Sequence, residues 1–236
     1  KSEAERKKSK RLQNAVDYIN LLDPKYYLPF AGRYVLGGKL ISLMKNKGES
    51  TLDEGINFLK KNIDQEQNKG IALNINSEFD LDSEQISEPY VPENKYERDL
   101  YIQNILSKKK LDYENDSFPT LDLIIKLISK AYDRFEHHRK MINYSTDTII
   151  LIKLFDDNLL FIPLNGDGFK IIELSMIKNF KKYIYLSLDM RLFFNLLKGP
   201  KFAHWNNAEI GCHITWKRVP NIYDQSLLYC LNFFHS

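Results

Sequence analysis

Three apolar runs separated by short turn signals follow directly on a long amphipathic segment, and this arrangement restricts the fold more than any other feature. The runs are residues 148–155, 159–164 and 169–174, parted by Asp156-Asp157-Asn158 and by Gly166-Asp167-Gly168. Apolar runs this short, bounded by Asp, Asn and Gly, predict strands joined by tight turns. Upstream, Leu121, Ile124, Ile128, Ala131, Tyr132 and Phe135 recur at helical spacing and predict a helix from Thr120 to about Ile142. Downstream, residues 183–188 alternate as a further strand. Asp189 is a good N-cap for a helix whose apolar face is Leu192, Phe193, Leu196 and Leu197, ended by Gly199-Pro200. Residues 209–218 alternate again, and 224–234 read as a closing helix. Residues 118–236 are therefore expected to form an α+β domain, a sheet with helices packed on one face.

The first part of the chain reads differently. Leu12, Ala15, Val16, Ile19 and Leu22 predict a helix over 4–22, stopped by Asp23-Pro24. Residues 26–30 form a short strand candidate that runs into the turn Ala31-Gly32-Arg33. Gly37-Gly38 then opens an apolar stretch at 40–44. Thr51-Leu52-Asp53-Glu54 has capping-box form, with Leu52, Ile56, Leu59 and Ile63 on one face of the helix behind it. Strand and helix do not alternate repeatedly over 1–75, so this unit reads as the closing elements of a layered α/β fold. Residues 76–117 carry an acidic cluster at 78–88, Pro89, Pro92 and the basic run Lys108-Lys109-Lys110. They predict a connecting region with at most one helix, near 96–106.

Composition narrows the class. With 34 basic against 31 acidic residues the net charge is only +3, too balanced for a duplex-binding surface, so no nucleic-acid partner is expected. No apolar run approaches the length of a membrane span. The Lys- and Glu-rich start has no signal-peptide character, and a cytoplasmic protein is expected. Cys212 and Cys230, the only two cysteines, lie in apolar patterns and are expected to be buried free thiols. The chain begins with Lys inside a helical pattern, as a processed chain or a C-terminal fragment would.

No metal or nucleophile motif stands out. The histidines are His137, His138, His204, His213 and His235, and none has His-x-His-x-Asp-His or His-Glu-x-x-His spacing. His137 and His138 are neighbours on a helix, about 100° apart, and cannot chelate together. Gly32 with Gly37-Gly38 has the wrong spacing for a dinucleotide fingerprint. The chemically richest segment is His204-Trp205-Asn206-Asn207-Ala208-Glu209-Ile210-Gly211-Cys212-His213. Laid on a strand, Ile210, Cys212, Ile214 and Trp216 form an apolar stripe, while Glu209 and His213 share a polar row about 13 Å apart, too far for a dyad. Asn206 and Asn207 are suited to satisfying turn backbone groups. The segment is expected to be a buried polar corner that docks another domain or contacts a ligand. Arg33, flanked by Gly32 and Tyr34 after a strand, is a candidate anion contact or interface ion pair.

Two blocks carry a resemblance. Residues 27–40, with Leu28-Pro29-Phe30-Ala31-Gly32-Arg33, and residues 204–213, with Arg218-Val219-Pro220, resemble the C-terminal portion of metallo-β-lactamase-fold proteins. The branch is that of ascorbate-phosphate lactonases and the hydrolase-like half of CMP-N-acetylneuraminate hydroxylase. The resemblance implies that 1–75 are closing elements of an αββα sandwich, with Arg33 and Tyr34 near the rim of the site. The metal-binding loop of that family lies in the N-terminal half. Where many relatives place a ligand His after a strand proline, this chain has Pro29-Phe30-Ala31. No metal ligand is therefore expected here, and zinc or another divalent metal is expected only in an upstream half. Residues 118–236 also look similar to a sterol-carrier-type domain, whose apolar cavity would take a lipid-like ligand. The expected role is the C-terminal part of a metal-dependent hydrolase, inactive alone. It would supply substrate contacts through Arg33, Tyr34, Asn206, Asn207, Glu209 and His213. The expected partners are the metal-binding half and a small phosphorylated, sugar or lipid-like ligand, and a homo-oligomer is compatible. The rival expectation is a non-catalytic module that carries an apolar ligand or scaffolds an assembly.

Overall fold

The computed structural model describes residues 2–30 and 34–236. The chain is mixed α/β and divides into two compact units, residues 1–109 and 110–236. Most of the stretch read as a connecting region, 76–109, thus belongs to the first unit, and 110–117 belong to the second.

In the first unit, helix α1 (Glu3–Leu22) starts on a capping box in which Ser2 Oγ accepts from Glu5 N. It stops at Asp23, which turns left-handed (φ 45°) and donates its N–H to the Ile19 carbonyl, with Pro24 barring continuation. Strand β1 is only Tyr26–Tyr27, shorter than the 26–30 expected, and pairs in parallel with β2 (Lys69–Gly70). Between them lie a 3₁₀ helix, Gly38–Asn46, and α2 (Leu52–Asn62), whose capping box on Thr51 and Glu54 is the one the sequence announces. Val16 and Ile19 of α1, Ile56 and Leu59 of α2, and Ile63, Tyr27 and Ala72 form the core of this unit. Gly48, at φ 61°, fits where a Cβ would collide with the backbone of Ala4 at the start of α1. The acidic segment folds into a small antiparallel hairpin, β3 (Phe79–Asp80) and β4 (Gln85–Ile86), before α3 (Lys95–Asn104), which Asn94 caps.

The second unit follows its pattern closely. Helix α4 (Leu121–Met141) is capped by Thr120 and leads into β5 (Ile149–Lys153), β6 (Asn158–Pro163) and β7 (Lys170–Glu173). A 3₁₀ segment, Leu174–Asn179, connects to β8 (Tyr183–Ser187). Next come α5 (Met190–Lys198), α6 (Trp205–Ile210), β9 (Thr215–Val219) and α7 (Gln225–Leu231). The sheet order is β7-β6-β5-β8-β9, antiparallel except for the β5–β8 pair. Alternation sorts the strands onto two faces. Ile150, Ile152, Leu160, Ile162, Ile184 and Leu186 face α4, α5 and α7, and Phe135, Phe193 and Phe234 are wholly buried among them. Leu151, Leu159 and Tyr183 face the other way, under Ile177 and Phe180 from the 3₁₀ segment and its end. Leu192, Phe193, Leu196, Leu197, Leu227 and Leu231 are buried in the helix-side core.

Two expectations are corrected. Residues 209–214 are not strand: 205–210 are helical and only Thr215–Val219 belongs to the sheet. Trp205 and Ala208, three apart, are both buried, which is helical spacing. Ile210, assigned to a core stripe, is exposed instead. Cys212 is half-buried, whereas Cys230 is fully buried, and both are free thiols.

Helix α4 also buries an ion pair that periodicity alone does not reveal. Arg139 donates from Nε and Nη2 to the two carboxylate oxygens of Glu136, at 2.7 and 2.8 Å, and from Nη1 to the Tyr144 carbonyl. The turn after β6 comes close to it. Gly166 (φ 90°) leaves room beside Glu136 and Arg139, and Gly168 N donates to Tyr132 Oη at 3.0 Å.

Candidate functional site

Four of the six sequence-predicted residues, Asn206, Asn207, Glu209 and His213, lie on one corner of the second unit, between α5 and β9. His204 starts it as the N-cap of α6: its Nδ1 accepts from Asn206 N at 3.2 Å. Asn206 and Asn207 are exposed on the first turn of α6. The helix closes on a Schellman motif, with Cys212 N donating to the Glu209 carbonyl and His213 N to the Ala208 carbonyl. Cys212 takes the left-handed position (φ 59°) that glycine normally fills.

Gly211 serves a different purpose. A Cβ there would stand 2.6 Å from His213 Cδ2 and 3.0 Å from the Asn207 carbonyl, so the imidazole is seated directly on the glycine backbone. His213 Nδ1 shares a 3.2 Å hydrogen bond with Tyr113 Oη, and the two rings meet edge to face. Glu209 is half-buried. Burial raises the pKa of its carboxyl, against an opposing pull from the Arg218 guanidinium. Arg218 lies against the rings of Trp216 and Tyr223, 5.4 and 5.7 Å away, and its buried Nε has no hydrogen-bond acceptor among the described residues. The corner thus combines a fixed imidazole, a phenol, a half-buried carboxyl and an under-satisfied guanidinium. Such a set can bind and orient a polar group. Tyr113 and Arg218 are members the sequence does not announce as site residues; the run 111–115 carries no periodic signal.

The remaining two residues belong to the first unit. Arg33 lies outside the described residues. Tyr34 is half-exposed: Lys47 Nζ donates to its carbonyl at 2.5 Å and rests over its ring, while also pairing with Glu49 at 3.0 Å. The stretch Leu28-Pro29-Phe30 that precedes them lines an open groove of about 600 Å³. α1, the start of α2 and residues 73–75 form its other walls.

His137, His138 and His235 form a separate group of histidines in the second unit. His138 stacks on Phe233, with ring centroids 3.5 Å apart, and lies edge to face with His137. His235 is buried, its Nδ1 near the Ser236 carbonyl. Burial lowers the pKa of both His138 and His235; Arg134 and the neighbouring histidines push the same way.

No family model, no curated protein and no solved structure matches this chain. Among the described residues no group of three or more His, Cys, Asp or Glu side chains is placed to hold a metal ion, and no helix is long and apolar enough to cross a membrane.

Proposed function

We propose that this chain is the C-terminal part of a metallo-β-lactamase-fold, metal-dependent hydrolase. It supplies docking surface and substrate contacts, while the metal ligands reside in an upstream half. The observation that carries the reading is the parallel pair β1–β2. Parallel pairing is typical of sheets built from several strands and covered on both faces, so this two-residue pair suits the edge of a larger sheet.

In this reading the upstream half would supply a metal-activated water. Tyr34 and the adjoining Arg33 would stand at the rim of the site, where ligands bind in open α/β sheets. The corner at Asn206, Asn207, Glu209 and His213 would dock or contact substrate, with Arg218 and Tyr113 holding it in shape. The coding sequence upstream of Lys1 tests the family directly. A His-x-His-x-Asp-His motif there supports the reading; a start codon within a few residues of Lys1 sinks it.

A further inference from the structure

We infer that the groove in the first unit is a binding site for a free amphipathic anion, an unbranched alkyl or acyl chain ending in a carboxylate or phosphate. Three observations converge on this. The groove lies beyond the carboxyl ends of two parallel strands, its about 600 Å³ is within the range of small-molecule sites, and Leu12, Leu52, Leu59 and Leu73 contribute apolar walls.

The second observation is Gly55. It sits one turn into α2, in ordinary helical backbone, and lines the groove. A Cβ built there meets only Ser50 Oγ, at 3.7 Å. Glycine weakens a helix interior, and neither backbone angle nor crowding requires it here. What it does is keep the groove open.

The third is charge. Of the charged side chains lining the groove, Lys8 is paired with Glu54 at 2.6 Å, and Glu49 is paired with Lys47 at 3.0 Å. Among the described residues Arg11 makes one long bond, 3.4 Å to the Gly48 carbonyl. Its guanidinium lines the groove beside these apolar walls and is suited to carboxylate or phosphate oxygens.

This assignment goes beyond the hydrolase reading and is tested without metal or a hydrolysable bond, so either can fail alone. The test is calorimetric titration of the purified chain with octanoate, decanoate, decyl phosphate and decanol. Vesicles of phosphatidylcholine with and without phosphatidylglycerol form a separate arm. We expect one saturable site for the anions, tightening about fourfold per added methylene. Gly55→Leu should fill the groove and weaken decanoate by more than tenfold while thermal unfolding shows the chain still folded. Arg11→Gln should weaken both anions about tenfold and leave decanol unchanged. Absence of saturable binding, equal affinity for decanol and decanoate, undiminished binding by folded Gly55→Leu, or binding only to anionic vesicles would each overturn the assignment.

Discussion

Cys212 and Gly211 occupy each other's expected places at the end of α6. The left-handed position falls on the cysteine, while the glycine lies at φ −73° beneath the His213 ring. Exchanging the cysteine for glycine relieves the backbone and loses only the weak 3.8 Å contact of the thiol with the Ile210 carbonyl. Cys212→Gly is expected to stabilise the chain by about 0.5–1 kcal/mol in urea unfolding. Gly211→Ala forces the imidazole off its seat and should cost about 1–3 kcal/mol; an unchanged midpoint would mean the His213–Tyr113 contact is not formed. His138 and His235 give a pH prediction. Both have folded pKa values below the unfolded value of about 6.5. Their neutral forms are therefore the ones the fold accommodates. Their contribution is intact above about pH 6.5 and is lost as pH falls through the lowered folded values. His138→Phe keeps the stack on Phe233 and removes one titration, so its urea midpoint should fall less than the native one between about pH 7.5 and 5.5. An equal fall would show that other groups carry the effect.

Elements with a cap, a stop and a period are legible in the sequence. α4 is framed by Thr120 and its apolar row, α2 by the Thr51–Glu54 capping box, and α5 by Asp189 and Gly199. β5, β6 and β7 follow from short apolar runs between turn residues. The segment 204–214 misleads because six helical residues hold less than two turns of pattern. Ile210, Cys212 and Ile214 imitate a strand where a Schellman turn intervenes. The interior of α4 is also only partly legible: nothing in the apolar row announces that Glu136 and Arg139 are buried. Removing one partner of a buried pair leaves the other charge uncompensated. Glu136→Ala should therefore cost about 3–5 kcal/mol in urea unfolding, whereas replacing both residues by apolar ones should cost far less. A loss below about 1 kcal/mol for Glu136→Ala would mean that the pair is solvated.

For the whole molecule, composition separates classes better than it assigns a role. A net charge of +3 and two free thiols give no positive sign of a nucleic-acid partner or of a disulfide scaffold, and they do not distinguish an enzyme part from a binding module. The candidate site is legible only in part. The residue types of 204–213 mark the corner, but Tyr113 and Arg218 enter it through tertiary packing that no local spacing encodes. The two units differ in how they are built. The second has a five-stranded sheet with aromatic residues buried against it, while the first rests on two helices and a minimal parallel pair. The central claim is that the first unit completes a sheet begun upstream and that the chemistry belongs to that upstream half. Zinc-dependent hydrolysis of a chromogenic lactone or phosphate ester, by this chain alone and by the same chain joined to its upstream coding sequence, tests it most directly. The account predicts no turnover by this chain alone and metal-dependent turnover by the joined protein. Turnover by this chain alone, or a joined protein that folds and binds zinc yet hydrolyses neither class, would contradict it.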